Sequence, residues 1–120
     1  MEDFVTFELA KKLKEKGFNW KVNAYYGKHE NIFDVHPAMD MNDCEYRCSA
    51  PTIPQVLKWL REEKKLNVNM RLYIEDKWYY TIQNNKGDFI YSHLVGSDVL
   101  YESYEEATIT GIKYAIANLI

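Results

Sequence analysis

Apolar residues recur along this chain at helical spacing, then at strand spacing, then at helical spacing again. Over residues 6–16, Phe7, Leu9, Ala10 and Leu13 form an apolar stripe, with Lys11, Lys12, Lys14 and Lys16 on the face turned to water. Thr6 is placed to cap that helix, and Val5 and Ala10 stand at the two positions of a hydrophobic staple. Asp3 is an alternative cap for a longer helix. Gly17 is expected in the left-handed conformation that ends a helix, with Phe18 packing back on Leu13. Trp20, Val22, Ala24 and Tyr26 then alternate with Lys21 and Asn23, the period of a half-buried strand. Ile32, Phe33, Asp34 and Val35 follow a turn at 27–31 as a possible partner strand. From His36 to Pro51 no period is visible, and the expectation is a long loop with one short strand at 45–48. In so small a domain such a loop is functional, mobile or a misread strand.

The second helix is the clearest element. Thr52 and Gln55 have capping-box spacing, Pro54 sits in the first turn, and Ile53, Val56, Leu57 and Leu60 share one face with Trp59 on its flank. The period then switches to two. Leu66, Val68, Met70, Leu72 and Ile74 alternate with Asn67, Asn69, Arg71, Tyr73 and Glu75, which predicts a one-sided strand with the first set in the core. A turn at 75–77 leads to Trp78, Tyr80 and Ile82 on a second strand, and a turn at 84–88 leads to a third at 89–92. Gly96-Ser97-Asp98 breaks the pattern. Ser103 and Glu106 form another capping box, opening a helix with Ala107, Gly111, Ile112, Ala115, Ile116 and Leu119. Gly111 among small residues predicts close approach to a neighbouring element. The expected fold is α+β: an antiparallel sheet of three to five strands with about three helices packed mainly on one face, in a single domain over 1–120.

Composition narrows the classes of function. Nearly half the 120 residues are apolar and 28% are charged, the balance of a globular chain. Net charge is −3, and the one dense basic run, Lys11 to Lys16, is interleaved with Glu15, so phosphate recognition by a basic surface is disfavoured and nucleic acid is not an expected partner. No apolar run approaches a membrane span, and Met1-Glu2-Asp3 leads into a patterned helix unlike a secretory signal, which makes the cytoplasm the expected compartment. Cys44 and Cys48 are then expected as reduced thiols. His29, His36, Cys44 and Cys48 are close in sequence, but their spacings match no common zinc motif, so no metal is expected.

Chemistry-bearing motifs are lacking as well. The five glycines are isolated, and there is no phosphate loop, nucleophile elbow or paired-histidine metal helix. His36 with Asp34 and Asp40 could be drawn as a base with carboxylate partners, but nothing nominates a nucleophile, and a surface His-Pro turn accounts for the same residues. His93, at a strand end, reads as a solvent-exposed or hydrogen-bonded histidine. No catalytic residue and no cofactor are expected.

The aromatic fraction, 15%, exceeds what a small core needs. Tyr26 and Tyr80 fall in the core phase of their strands, whereas Tyr25, Tyr73 and Tyr79 fall in the opposite phase. If helices cover one side only, those three rings are the candidate interaction surface, facing an unknown protein partner or a second copy of the chain.

Three stretches together resemble a known group: Thr6-Phe7-Glu8-Leu9-Ala10-Lys11-Lys12-Leu13 ending in Gly17-Phe18, Ser49-Ala50-Pro51-Thr52 leading to Trp59-Leu60-Arg61-Glu62, and Tyr104-Glu105-Glu106-Ala107 with Gly111-Ile112. The chain is similar there to small uncharacterised proteins of gut bacteria and their phages or prophages. The resemblance implies a phage or mobile-element accessory role and carries no active site. Taken together, the residues favour a non-enzymatic protein-interaction module. The alternative is a small-ligand- or nucleotide-binding enzyme accessory using the loop over 29–48.

Overall fold

Each helix starts where a capping side chain stands. In the computed structural model, which describes residues 4–92 and 100–120, helix α1 spans Phe7–Glu15. The Thr6 hydroxyl accepts the Leu9 N–H at 3.3 Å. Beyond the helix, Gly17 has φ +87° and the Phe18 N–H donates to the Leu13 carbonyl at 3.0 Å, the closure expected of a left-handed C-terminal glycine. Helix α2 spans Ile53–Glu63. The Thr52 N–H donates to Gln55 Oε1 at 2.9 Å and the Gln55 N–H to Thr52 Oγ1 at 3.3 Å, a reciprocal capping box. Helix α3 spans Tyr104–Asn118; the Ser103 hydroxyl accepts the Glu106 N–H at 3.1 Å, while Glu106 reaches back to the Glu102 N–H rather than to that of the cap. The alternative cap Asp3, His93 and the break at Gly96-Ser97-Asp98 lie outside the described residues.

The chain divides into two compact units, Met1–Trp59 and Leu60–Ile120. The α+β class with antiparallel pairing holds, and the strands are shared between two three-stranded sheets. In the first unit, β1 (Val22–Tyr26) lies between β2 (Ile32–Met39) and β3 (Cys48–Ser49). Val22 and Ala24 are buried, as are Leu9, Ala10 and Leu13 of α1, and the Phe7 ring stands edge-on to Tyr26 with centroids 5.5 Å apart. The Tyr26 hydroxyl donates to the Val5 carbonyl at 2.6 Å. Phe18 packs on Trp59 at 5.3 Å with both side chains almost wholly buried, so Trp59 is a core residue rather than a flanking one.

Part of the expected loop is strand. β2 continues through His36 and Pro37 to Met39, its register shifting between the pairs Ala24–Asp34 and Val22–Met39. It is an edge strand, where a proline with no N–H is tolerated, and most of its residues are exposed, so no alternation marks it. The remaining loop is pinned by specific groups. Asn42 Nδ2 donates to the Phe18 carbonyl at 2.7 Å and Asn42 Oδ1 accepts the Ser49 N–H at 2.8 Å. Met41 is buried, and its N–H donates to Ser49 Oγ at 3.0 Å. Lys14, expected to face water, instead donates from Nζ to the carbonyls of Cys44 and Arg47.

In the second unit, β5 (Lys77–Gln83) lies between β4 (Asn67–Ile74) and β6 (Phe89–Ser92). β4 and β5 join through Glu75 and Asp76 at φ +42° and +64°, the two-residue turn whose twist suits a hairpin. α3 packs on β4 and β5. Gly111 faces the sheet so closely that a Cβ there would lie 2.7 Å from Val68 Cγ1 and 3.1 Å from the Tyr80 ring. Tyr114 of α3 stacks on Tyr91 of β6 at 3.9 Å. Among the described residues no helix is long and apolar enough to cross a membrane.

Candidate interaction surface

Residues directly opposite each other on antiparallel strands point to the same side of a sheet. The pairs Val68–Ile82, Met70–Tyr80 and Leu72–Trp78 therefore form one side of the β4–β5 hairpin, and Asn69–Thr81 and Arg71–Tyr79 form the other. α3 covers the first side where Gly111 meets Val68 and Tyr80, and its first turn ends that cover with Tyr104 edge-on to Trp78 at 5.3 Å. At the outer end of the hairpin, Leu72, Tyr73 and Ile74 are 57%, 55% and 56% exposed. Leu72 and Ile74 thus depart from the core position that alternation assigned them. Alternation does not report how far the covering helix reaches, and for Ile74 it also misses the side, because the register shifts after Leu72 and Ile74 pairs with Lys77.

The structure brings two of the three expected tyrosines together. The Tyr73 and Tyr79 rings meet edge-on, centroids 6.1 Å apart, with Tyr73 exposed and Tyr79 half-buried. Tyr25 belongs to the sheet of the first unit, where it is half-buried and stacked at 5.4 Å on its cross-strand neighbour Phe33. Backbone geometry adds to the hairpin surface. β5 pairs with β6 along Thr81–Gln83, and Trp78 exchanges two 2.8 Å backbone hydrogen bonds with Tyr101, reinforced by the Lys77–Glu102 ion pair. β4 is an edge strand: among the described residues no strand pairs with its outer side. Exposed apolar side chains and an open hydrogen-bonding edge coincide at one place, a combination that invites strand pairing with another chain.

Among the described residues, the others singled out from the sequence show no catalytic grouping. His29, His36 and Asp34 are exposed, and Asp40 is half-buried. Cys44 and Cys48 are free thiols; Cys48 is buried, and that burial pushes its thiol up, away from the nucleophilic thiolate. Among the described residues no three His, Cys, Asp or Glu side chains are placed to hold a metal ion. Among the described residues the strongest perturbation is at Tyr80, whose hydroxyl is pushed far up by burial and by the neighbouring Tyr91 and Tyr101. It sits in the core beneath α3, where a phenol held neutral by burial serves packing.

No protein-family model, curated protein or solved structure matches the chain. The exposed end of the hairpin is read on its own physics. The sequence pattern placed Tyr73 and Tyr79 on one side, but gave no sign that Leu72 and Ile74 join them at the surface.

Proposed function

We propose that this protein is a non-enzymatic protein-interaction module whose contact surface is the outer end of the β4–β5 hairpin. The observation that carries it is the run Leu72-Tyr73-Ile74, more than half exposed on an edge strand. A partner strand laid along β4 would satisfy the open backbone groups and shield apolar side chains on both sides of the sheet, the mode called strand addition. Fully burying a large apolar side chain contributes about 1.5–3 kcal/mol; these three, already close to half buried, would each add about half of that and offset part of the cost of association. A second copy of this chain is one partner that fits, since its own β4 offers the same open edge. The resemblance to phage and prophage proteins supports an accessory role of this kind.

Association and stability should separate under mutation. Tyr73→Ala with Tyr79→Ala removes cross-strand contact worth about 1 kcal/mol each, which leaves the protein folded. The same rings in an interface count among the residues that dominate binding. Sedimentation velocity on wild type and double variant, beside thermal melts and a pull-down from the native host, is the measurement. Loss of self-association or of a captured partner with the fold retained is the expected result. Unchanged association in a folded variant would remove the basis of the proposal.

A further inference from the structure

A second feature, independent of the hairpin, lies in the first unit. A half-open cleft of about 280 Å³ is bounded by α1, the turn after β1 and the loop entering β3. Its walls include three rings. Phe7 and Tyr26 meet edge-on at 5.5 Å, and Tyr46 is exposed near the mouth. Four cations also line it, Lys11, Lys14, Lys28 and Arg47, against Glu15 and Glu45, in a chain that is acidic as a whole. Two of the four are engaged. Lys14 holds the carbonyls of Cys44 and Arg47, and Arg47 pairs with Asp43 at 2.8 Å. The other two touch only rings. The Lys11 ammonium sits 5.4 Å from the Phe7 ring centroid and that of Lys28 sits 5.9 Å from Tyr46. Among the described residues neither has a carboxylate within ion-pair distance.

We infer that this cleft binds a small organic anion: a flat apolar body of one or two rings carrying a single carboxylate or phosphate head. The rings supply faces and edges for a planar body, and the ammoniums of Lys11 and Lys28 supply charge for the head. The volume of about 280 Å³ falls just below the usual range for ligand sites, about 300–1,000 Å³, which limits the body to one or two rings. Two cations that rest on rings without an ion-pair partner suit one anionic group rather than a polyphosphate chain or a nucleic acid. Burial pushes the Cys48 thiol at the cleft up, toward its neutral form.

The probe is 1-naphthyl phosphate, titrated calorimetrically into the full chain, with 1-naphthol and inorganic phosphate as controls that separate body from head. Binding should be measurable below about 1 mM. Each control should bind about tenfold more weakly or worse, because each lacks half of the recognition. Lys11→Gln with Lys28→Gln, both exposed positions, should leave the melt unchanged and weaken the probe by about tenfold or more. Amide shifts in a nitrogen-labelled sample should cluster at Lys11, Tyr26 to Lys28 and Tyr46 to Cys48. No binding at millimolar probe overturns the inference. So does equal binding of phosphate alone, equal binding of naphthol, an unweakened lysine variant, or shifts centred elsewhere.

Discussion

Gly111→Ala offers a direct test of how closely α3 approaches its sheet. Two effects oppose each other. Replacing glycine with alanine inside an exposed helix stabilises it by about 1 kcal/mol through backbone entropy and propensity. Here, however, the new methyl would lie 2.7 Å from Val68 Cγ1 and 3.1 Å from two atoms of the Tyr80 ring, distances inside ordinary contact. Neither neighbour can easily yield. Val68 is β-branched and stiff about χ1, and Tyr80 is 1% exposed with the Tyr91 and Tyr101 rings about it. Overpacking of this kind costs about 1–3 kcal/mol, and rigid neighbours place it at the upper end. The net expectation is a loss of about 1–2 kcal/mol. Urea denaturation followed by aromatic circular dichroism measures it, with Val68→Ala and the double variant completing a cycle. Because Val68→Ala removes the methyl that clashes, the double variant should be more stable than the sum of the single losses by about 1 kcal/mol. A Gly111→Ala variant more stable than wild type, with additive behaviour in the cycle, would show that helix propensity alone operates there and that α3 stands further from β4 than described.

Two further outcomes follow, one from the hairpin turn and one from buried tyrosines of both units. The β4–β5 turn holds Glu75 and Asp76 at positive φ, a region costing a residue with a Cβ about 1–2 kcal/mol, so Glu75→Asn with Asp76→Gly should raise stability by about 1 kcal/mol; an unchanged urea midpoint would refute the turn geometry. The hydroxyls of Tyr26, Tyr80 and Tyr101 are all raised above the ordinary value, chiefly by burial, so the folded state holds protons that the unfolded state releases first. Their contribution is present below pH of about 10 and is lost as pH rises through the higher folded values. Tyrosinate absorbance should therefore lag in native protein relative to protein in urea, with the melting temperature falling above that pH, and coincident titrations would contradict the burial.

Local signals in the chain determined the helices. Thr6, Gly17, Thr52, Gln55 and Ser103 act through hydrogen bonds to residues a few positions away, and those bonds form as the sequence predicts. The β4, β5 and β6 strands were legible for a related reason: alternation is a property of the pleat, and Val68, Tyr80 and Ile82 are buried in the phase it assigned. What alternation cannot carry is the reach of the covering element. Leu72 continues the period of Val68 yet stands exposed, and at Ile74 the register shift after Leu72 breaks the alternation itself. The first half of β2 was expected at 32–35, but its continuation through 36–39 escaped detection for the converse reason, since a strand exposed along most of its length has no apolar period to show. The candidate surfaces fall on the same divide. Tyr73 and Tyr79 were placed on one side by strand phase, whereas their meeting at 6.1 Å depends on the register of the hairpin. The cleft gathers Phe7, Lys11, Tyr26, Lys28 and Tyr46 from a helix, a strand and two loops. No spacing rule links those residues, because only chain closure around the Lys14–loop hydrogen bonds brings them to one place.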